Sequence, residues 1–112
     1  MRKEPYRDYA TEAFRSWAAA GCPGHEEGRK KYRGAIRADF EACAGTFAAL
    51  GNDVCGAVRA VYMADAASAR KAGDISGRVV RFSMEHYICE RMVWEWLALA
   101  RRDFAVRRGL RV

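Results

Sequence analysis

Arginine is the residue type best placed to do chemistry in this 112-residue chain, supplying sixteen of its twenty basic residues against fourteen acidic ones. Its planar fork matches phosphates and guanine edges, a geometry that lysine cannot mimic. The distribution is uneven. Residues 1–69 carry ten basic and nine acidic side chains, a net of +1, whereas residues 70–112 carry ten and five, a net of +5. A basic C-terminal half beside a near-neutral N-terminal half predicts a surface that faces a polyanion.

The histidines and carboxylates offer less. His25 lies in a glycine-flanked stretch and His86 beside a turn, and neither has a serine or cysteine partner at a useful spacing. Glu26 and Glu27 are adjacent, so their side chains point apart. No glycine-rich phosphate loop follows a strand. Catalysis and a bound cofactor are therefore not expected. Cys22-Pro23-Gly24-His25 has the gap of a zinc half-site, but no second half-site follows. It reads as a Pro-Gly turn, and no metal is expected. Cys22, Cys43, Cys55 and Cys89 form no Cys-x-x-Cys pair and read as free thiols of a reducing compartment, most of them small helical hydrophobes.

Composition bounds the class. At 51% hydrophobic and 30% charged residues, the chain has the balance of an ordinary globular protein. One domain spanning 1–112 is expected, with an N-terminal helical pair over 1–51 and a second unit over 52–112. The longest central run without a charge is Ala42 to Asn52, eleven residues, far short of the roughly 20 that a membrane span needs. The N-terminus lacks the apolar core of a signal peptide, so the expected location is cytoplasmic with no membrane partner.

The elements that must position the arginines follow from a helical period almost everywhere. Tyr6, Tyr9, Ala10, Ala13, Phe14 and Trp17 keep the i, i+3, i+4, i+7 rule, with Pro5 in the first turn and Gly21 to Gly24 as the stop. A loop then leads to a second helix from about Arg29. Its stripe is Tyr32, Ile36, Phe40, Cys43, Phe47 and Leu50, an alternation similar to a coiled-coil seam and usable for a homodimer. A third helix is predicted over 54–66, fading toward Gly73, and a fourth over 74–83 on Ile75, Val79 and Phe82. The fifth runs from Glu90 to Arg108 on Val93, Leu97, Ala100 and Phe104, closed by Gly109 and Leu110. No segment alternates with period two, so the fold is predicted all-α, with about five helices.

The last three helices have the lengths and junctions of a trihelical helix-turn-helix unit packed under the N-terminal pair. In such a unit the third helix enters the major groove. Its outward face would present Glu90, Arg91, Trp94, Glu95 and Arg102, with Arg91 near the end where base edges are contacted. Arg78 and Arg81 on the preceding helix, with Arg101, Arg102 and Arg108 further along, would meet phosphates. Trp94 would pack on a backbone sugar or on a partner such as RNA polymerase.

The stretch Gly73-Asp74-Ile75, Val79, Tyr87 to Leu97, Ala100-Arg101, Phe104-Ala105 and Arg108-Gly109-Leu110 resembles the C-terminus of the ArpU/RinA-like late transcription regulators of Firmicutes phages. Glu4 to Thr11 is similar to the opening of related prophage proteins. The resemblance covers about half the chain. It implies a sigma-factor-like C-terminal helix-turn-helix, double-stranded DNA as partner and transcription regulation as function. The chain departs from the family pattern at four positions: Cys89 for a serine N-cap, Met92 for threonine or serine, Trp94 for tyrosine, and Glu95 as an added negative charge. Glu90 and Glu95 oppose phosphate locally.

The competing expectation is a mobile-element protein that binds a host protein complex, such as an inhibitor of a CRISPR nuclease, on the same scaffold. Trp94 and Trp96 are two residues apart on one helix and cannot both face one core. Either an exposed tryptophan marks an interface, or the first two helices cover it.

Overall fold

In the computed structural model, residues 4–64 and 74–112 are described. They form six α-helices and one π-helical turn, with no strand among them: α1 Arg7–Ala19, α2 His25–Lys31, α3 Gly34–Ala49, α4 Asn52–Val58, the π turn Arg59–Met63, α5 Asp74–His86 and α6 Glu90–Arg108. The all-α expectation holds, and the helix count rises from about five to six. The predicted tail of the third helix at 65–66 and the break at Gly73 lie outside the described residues.

The added helix is α2, whose first residues fall in the predicted loop and whose Arg29, Lys30 and Lys31 fall at the start of the predicted second helix. It has no apolar stripe to reveal it. Glu26 and Glu27 occupy its first turn and Arg29, Lys30 and Lys31 its last, the arrangement that complements the helix dipole. Tyr32 and Arg33 then run extended, and Gly34 starts α3 at φ +65°, a left-handed conformation suited to glycine. This break resets the phase of the second predicted stripe. Phe40 and Cys43 are buried, Tyr32, Phe47 and Leu50 are half-buried, and Ile36 is 54% exposed. The buried face of α3 is instead Phe40, Ala42, Cys43 and Thr46. Phe47 packs inside the molecule with its ring tilted against Trp17 at 5.0 Å and Phe14 at 6.0 Å. Most of the predicted stripe thus packs inside the molecule, with Ile36 left outside.

α1 buries Tyr6, Ala10, Ala13, Phe14 and Trp17 of its predicted stripe, while Tyr9 is 41% exposed. It ends as the chain passes under Trp17, whose indole N–H donates to the Pro23 carbonyl at 3.0 Å. α4 passes into a wider turn, in which the Ala64 N–H reaches back five residues to the Arg59 carbonyl at 2.8 Å. That turn buries Val61, Tyr62 and Met63 in succession.

α6 packs against α1, α3, α4 and α5, and its bounds match the prediction at both ends. Val93, Leu97, Ala100 and Phe104 are fully buried as expected. Its C-terminus is closed by Gly109 at φ +81°: the Leu110 N–H bonds to the Ala105 carbonyl at 2.8 Å and the Gly109 N–H to Val106 at 3.2 Å. Phe104 meets Phe14 at 5.6 Å, and Phe14 meets Tyr62 at 6.5 Å, so one aromatic cluster joins α1, α3, the π turn and α6.

Two predictions test this packing. Phe104→Ala should cost about 3–5 kcal/mol in denaturant titration, the range for a fully buried aromatic. Cys43 and Cys55 are buried while Cys22 and Cys89 are exposed, and desolvation raises the Cys43 thiol well above its usual range. A thiol reagent should therefore label two cysteines in the native protein and all four after unfolding.

Candidate functional site: the α5–turn–α6 surface

The connection between α5 and α6 is three residues long, Tyr87 to Cys89. Ser83 closes it from both sides: its hydroxyl donates to the Ile88 carbonyl at 2.5 Å, and its carbonyl accepts from the Ile88 N–H at 3.1 Å. Tyr87 sits at φ +56° and is 95% exposed. His86, read in sequence as a turn residue, ends α5 with its ring 4.1 Å from that of Phe82. The Cys89 side chain makes no capping bond to α6, as expected where serine is replaced. The first turn of α6 therefore stands into solvent, with Glu90, Arg91 and Met92 all exposed.

Of the residues singled out in sequence, Arg91, Glu95 and Arg102 share the outer face of α6, together with Met92, Leu99 and Val106. Arg91 is 88% exposed at its side chain, and its Nε lies 3.3 Å from a Glu95 carboxylate oxygen. The pair is solvent-screened and worth little to the fold, so either charge can exchange partners. Trp94 is half-buried against the core, and so is Trp96. Neither is a freely exposed tryptophan.

Arg81 is exposed on α5. It lines a cleft of about 90 Å³ with Ala60, Arg78, Phe82 and Glu85. Arg78 belongs to the joint between α5 and the π turn. Its guanidinium donates to the Ala64 carbonyl at 2.7 Å and to Val61 at 3.4 Å, near the end of the wide turn.

Arg101 requires a correction. It was expected to anchor a phosphate, yet it is 3% exposed. Its Nε and Nη2 donate to the two carboxylate oxygens of Glu4 at 2.7 and 2.8 Å, and its Nη1 donates to the Tyr62 hydroxyl at 2.6 Å. Position 101 follows Ala100 on the flank of the core stripe, where the N-terminal segment and the π turn close over it. Arg108 is corrected in part. Its Nε donates to Asp39 at 2.7 Å, and Asp39 also accepts from the Tyr9 hydroxyl at 2.8 Å. A third tie uses Asp103, which accepts from Thr46 at 2.8 Å and from Arg107 at 2.6 Å.

Among the described residues from 74 on, Arg91, Arg101, Arg107 and Arg108 each face a carboxylate, while Arg81, Arg102 and Arg111 are exposed. Sequence reasoning missed Glu4, Tyr62, Asp39 and Asp103 as partners. The pairs separated by 97, 39 and 69 positions have no local pattern to betray them. Asp103 with Arg107, like Arg91 with Glu95, stands at i, i+4 on one helix and was legible.

Among the described residues no group of three or more histidines, cysteines or carboxylates is placed to hold a metal ion, and no helix is long and apolar enough to cross a membrane. No family model, curated protein or solved structure matches the chain.

The hydrogen bond from Arg101 holds the Glu4 carboxyl below its ordinary value. A depressed carboxylate adds stability that is present above its unfolded pKa and lost as pH falls through its folded pKa. Glu4→Gln should cost about 1–3 kcal/mol at neutral pH, because it weakens the bonding of a buried guanidinium. The wild-type protein should lose this margin on acidification below its unfolded value of about 4.5, while the variant's stability should depend less on pH there.

Proposed function

We propose that the chain is a double-stranded-DNA-binding transcription regulator of the phage type, with α5, the Tyr87–Cys89 turn and α6 serving as its helix-turn-helix. The observation that carries this reading is the locked three-residue turn, which leaves the first turn of α6 protruding. In a helix-turn-helix those are the residues that reach base edges. Arg91 is the base-contacting residue, and Met92 beside it suits a thymine methyl. Arg81 and Arg102 contact phosphates on either side, while Arg78 ties the base of α5 to the π turn. Arg101 and Arg108 hold the reading helix in place rather than touching DNA. Glu95 orients Arg91 in the free protein and yields it to the groove.

A second reading, docking on a host protein complex such as RNA polymerase, draws on one specific observation. Met84 on α5 is 71% exposed, and Tyr87 in the turn and Leu99 and Val106 on α6 are also exposed. Exposed apolar groups on these elements favour a protein partner over phosphate. The length of α6 lets the two readings coexist, since its later turns extend beyond what a groove would cover.

Binding to a labelled random duplex at two salt concentrations, followed by selection of a preferred site, tests the proposal. Arg91→Ala should relax discrimination at one base pair by about 1–3 kcal/mol. Arg102→Ala should weaken all sequences alike and lower the salt slope by about one. Unchanged binding in both variants removes α6 from the DNA interface, whereas undetectable duplex binding by the wild-type protein at low salt favours the protein-docking reading.

A further inference from the structure

We infer that the elbow between α2 and α3, residues 29–37, is a second polyanion-binding surface that grips the sugar-phosphate backbone of duplex DNA. It shares no residue with the α5–turn–α6 surface. The nine residues Arg29-Lys30-Lys31-Tyr32-Arg33-Gly34-Ala35-Ile36-Arg37 hold five basic side chains and no acidic one, the densest positive run in the chain. It was hidden in a half whose net charge is only +1.

The structure makes this run a fixed surface. Arg29, Lys30, Lys31 and Arg33 are exposed and Arg37 is partly so. Tyr32 between them turns inward and meets Phe40 edge-on at 4.8 Å, so the elbow is pinned to the core. Two carboxylates serve the five cations. Glu41 is shared by Arg29 at 3.4 Å and Arg37 at 3.6 Å, and Glu27 stands 3.9 Å from Lys31. Lys30 and Arg33 pair with no carboxylate among the described residues. Such screened pairs give up their cations to a phosphate at little cost.

Fold stability accounts for only part of this charge. Arg29, Lys30 and Lys31 in the last turn of α2 complement its dipole, but Arg33 and Arg37 stand at the start of α3, where positive charge opposes the dipole. The first turn of α3 holds no acidic residue to offset them. Arg33 and Arg37 thus oppose the α3 dipole within a cluster that lies open to solvent, a placement accounted for by an external anion.

The chemistry selects the partner. Tyr32 is committed to Phe40, so the elbow offers no exposed ring on which single-stranded bases could stack. It offers several point charges and guanidinium forks instead, which fit phosphates along a duplex.

The test uses the full chain and a labelled random duplex. The variant Lys30→Gln/Lys31→Gln/Arg33→Gln removes three exposed charges without touching the core, and thermal melting checks that it folds. Its low-salt affinity should fall by roughly tenfold, and the slope of log affinity against log salt should drop by roughly 2–3, reflecting about 0.9 per phosphate contact. The charge-conserving variant Lys30→Arg/Lys31→Arg/Arg33→Lys should restore both. Wild-type affinity and slope in the glutamine variant would overturn the inference. So would undetectable duplex binding by the wild-type protein at low salt, which would point to an acidic protein as the partner. The parallel variant Arg91→Ala/Arg102→Ala separates the two surfaces. Loss with that variant alone rejects the elbow and keeps α6; loss with the elbow variant alone rejects α6 and keeps the elbow.

Discussion

A guanidinium buried to 3% exposure near the middle of α6 is the constraint on which the rest of the arrangement depends. Arg101 cannot shed its charge, so its surroundings must answer it completely. Glu4 does so with both oxygens and Tyr62 with its hydroxyl. These bonds tie the start of the chain and the π turn to the final helix. The wide turn over 59–63 is understandable in this light, because it brings Tyr62 inward beside Val61 and Met63. A regular helix would have turned one of three successive residues outward.

Two further ties extend the same logic along α6. Asp39 on α3 gathers Arg108 and Tyr9, and Asp103 on α6 gathers Thr46 and Arg107. Each carboxylate is bonded from two directions, which fixes it better than a lone surface pair. Arg107 also lies against Gly45, where a Cβ would stand 3.0 Å from its Cδ, so α3 leaves room there for the arginine. α6 is thereby held along its flanks by polar ties and along its inner stripe by Val93, Leu97, Ala100 and Phe104. Its first turn and outer face are left free, and that is the part a partner could reach.

The neutralised arginines change how the charge of the molecule should be understood. Net charge counted by residue placed the polyanion-facing surface in the C-terminal half. Counted by exposure and pairing, much of that excess is spent on holding α6, while the elbow at 29–37 keeps cations that few carboxylates answer. Charge acts at a distance through what remains uncompensated at the surface, so the bookkeeping belongs to the folded molecule.

The sequence by itself determined the helical class, the bounds of α6 and its inner stripe, and the Gly109 stop. All of these rest on local rules, a period of 3.6 residues and a left-handed cap, which neighbouring residues express together. It also placed Val79, Phe82, Phe14 and Trp17 in the core for the same reason. α2 stayed hidden because dipole-matched charges rather than an apolar face hold it, and Ile36 was misplaced because the Gly34 break reset the helical phase. Which arginines are surface and which are scaffold was decided only by tertiary structure. Arg101 and Arg102 are neighbours of the same type, yet one meets Glu4 from ninety-seven positions away and the other faces solvent. A partner so distant leaves no periodic trace in the chain, since it is set by how the helices pack.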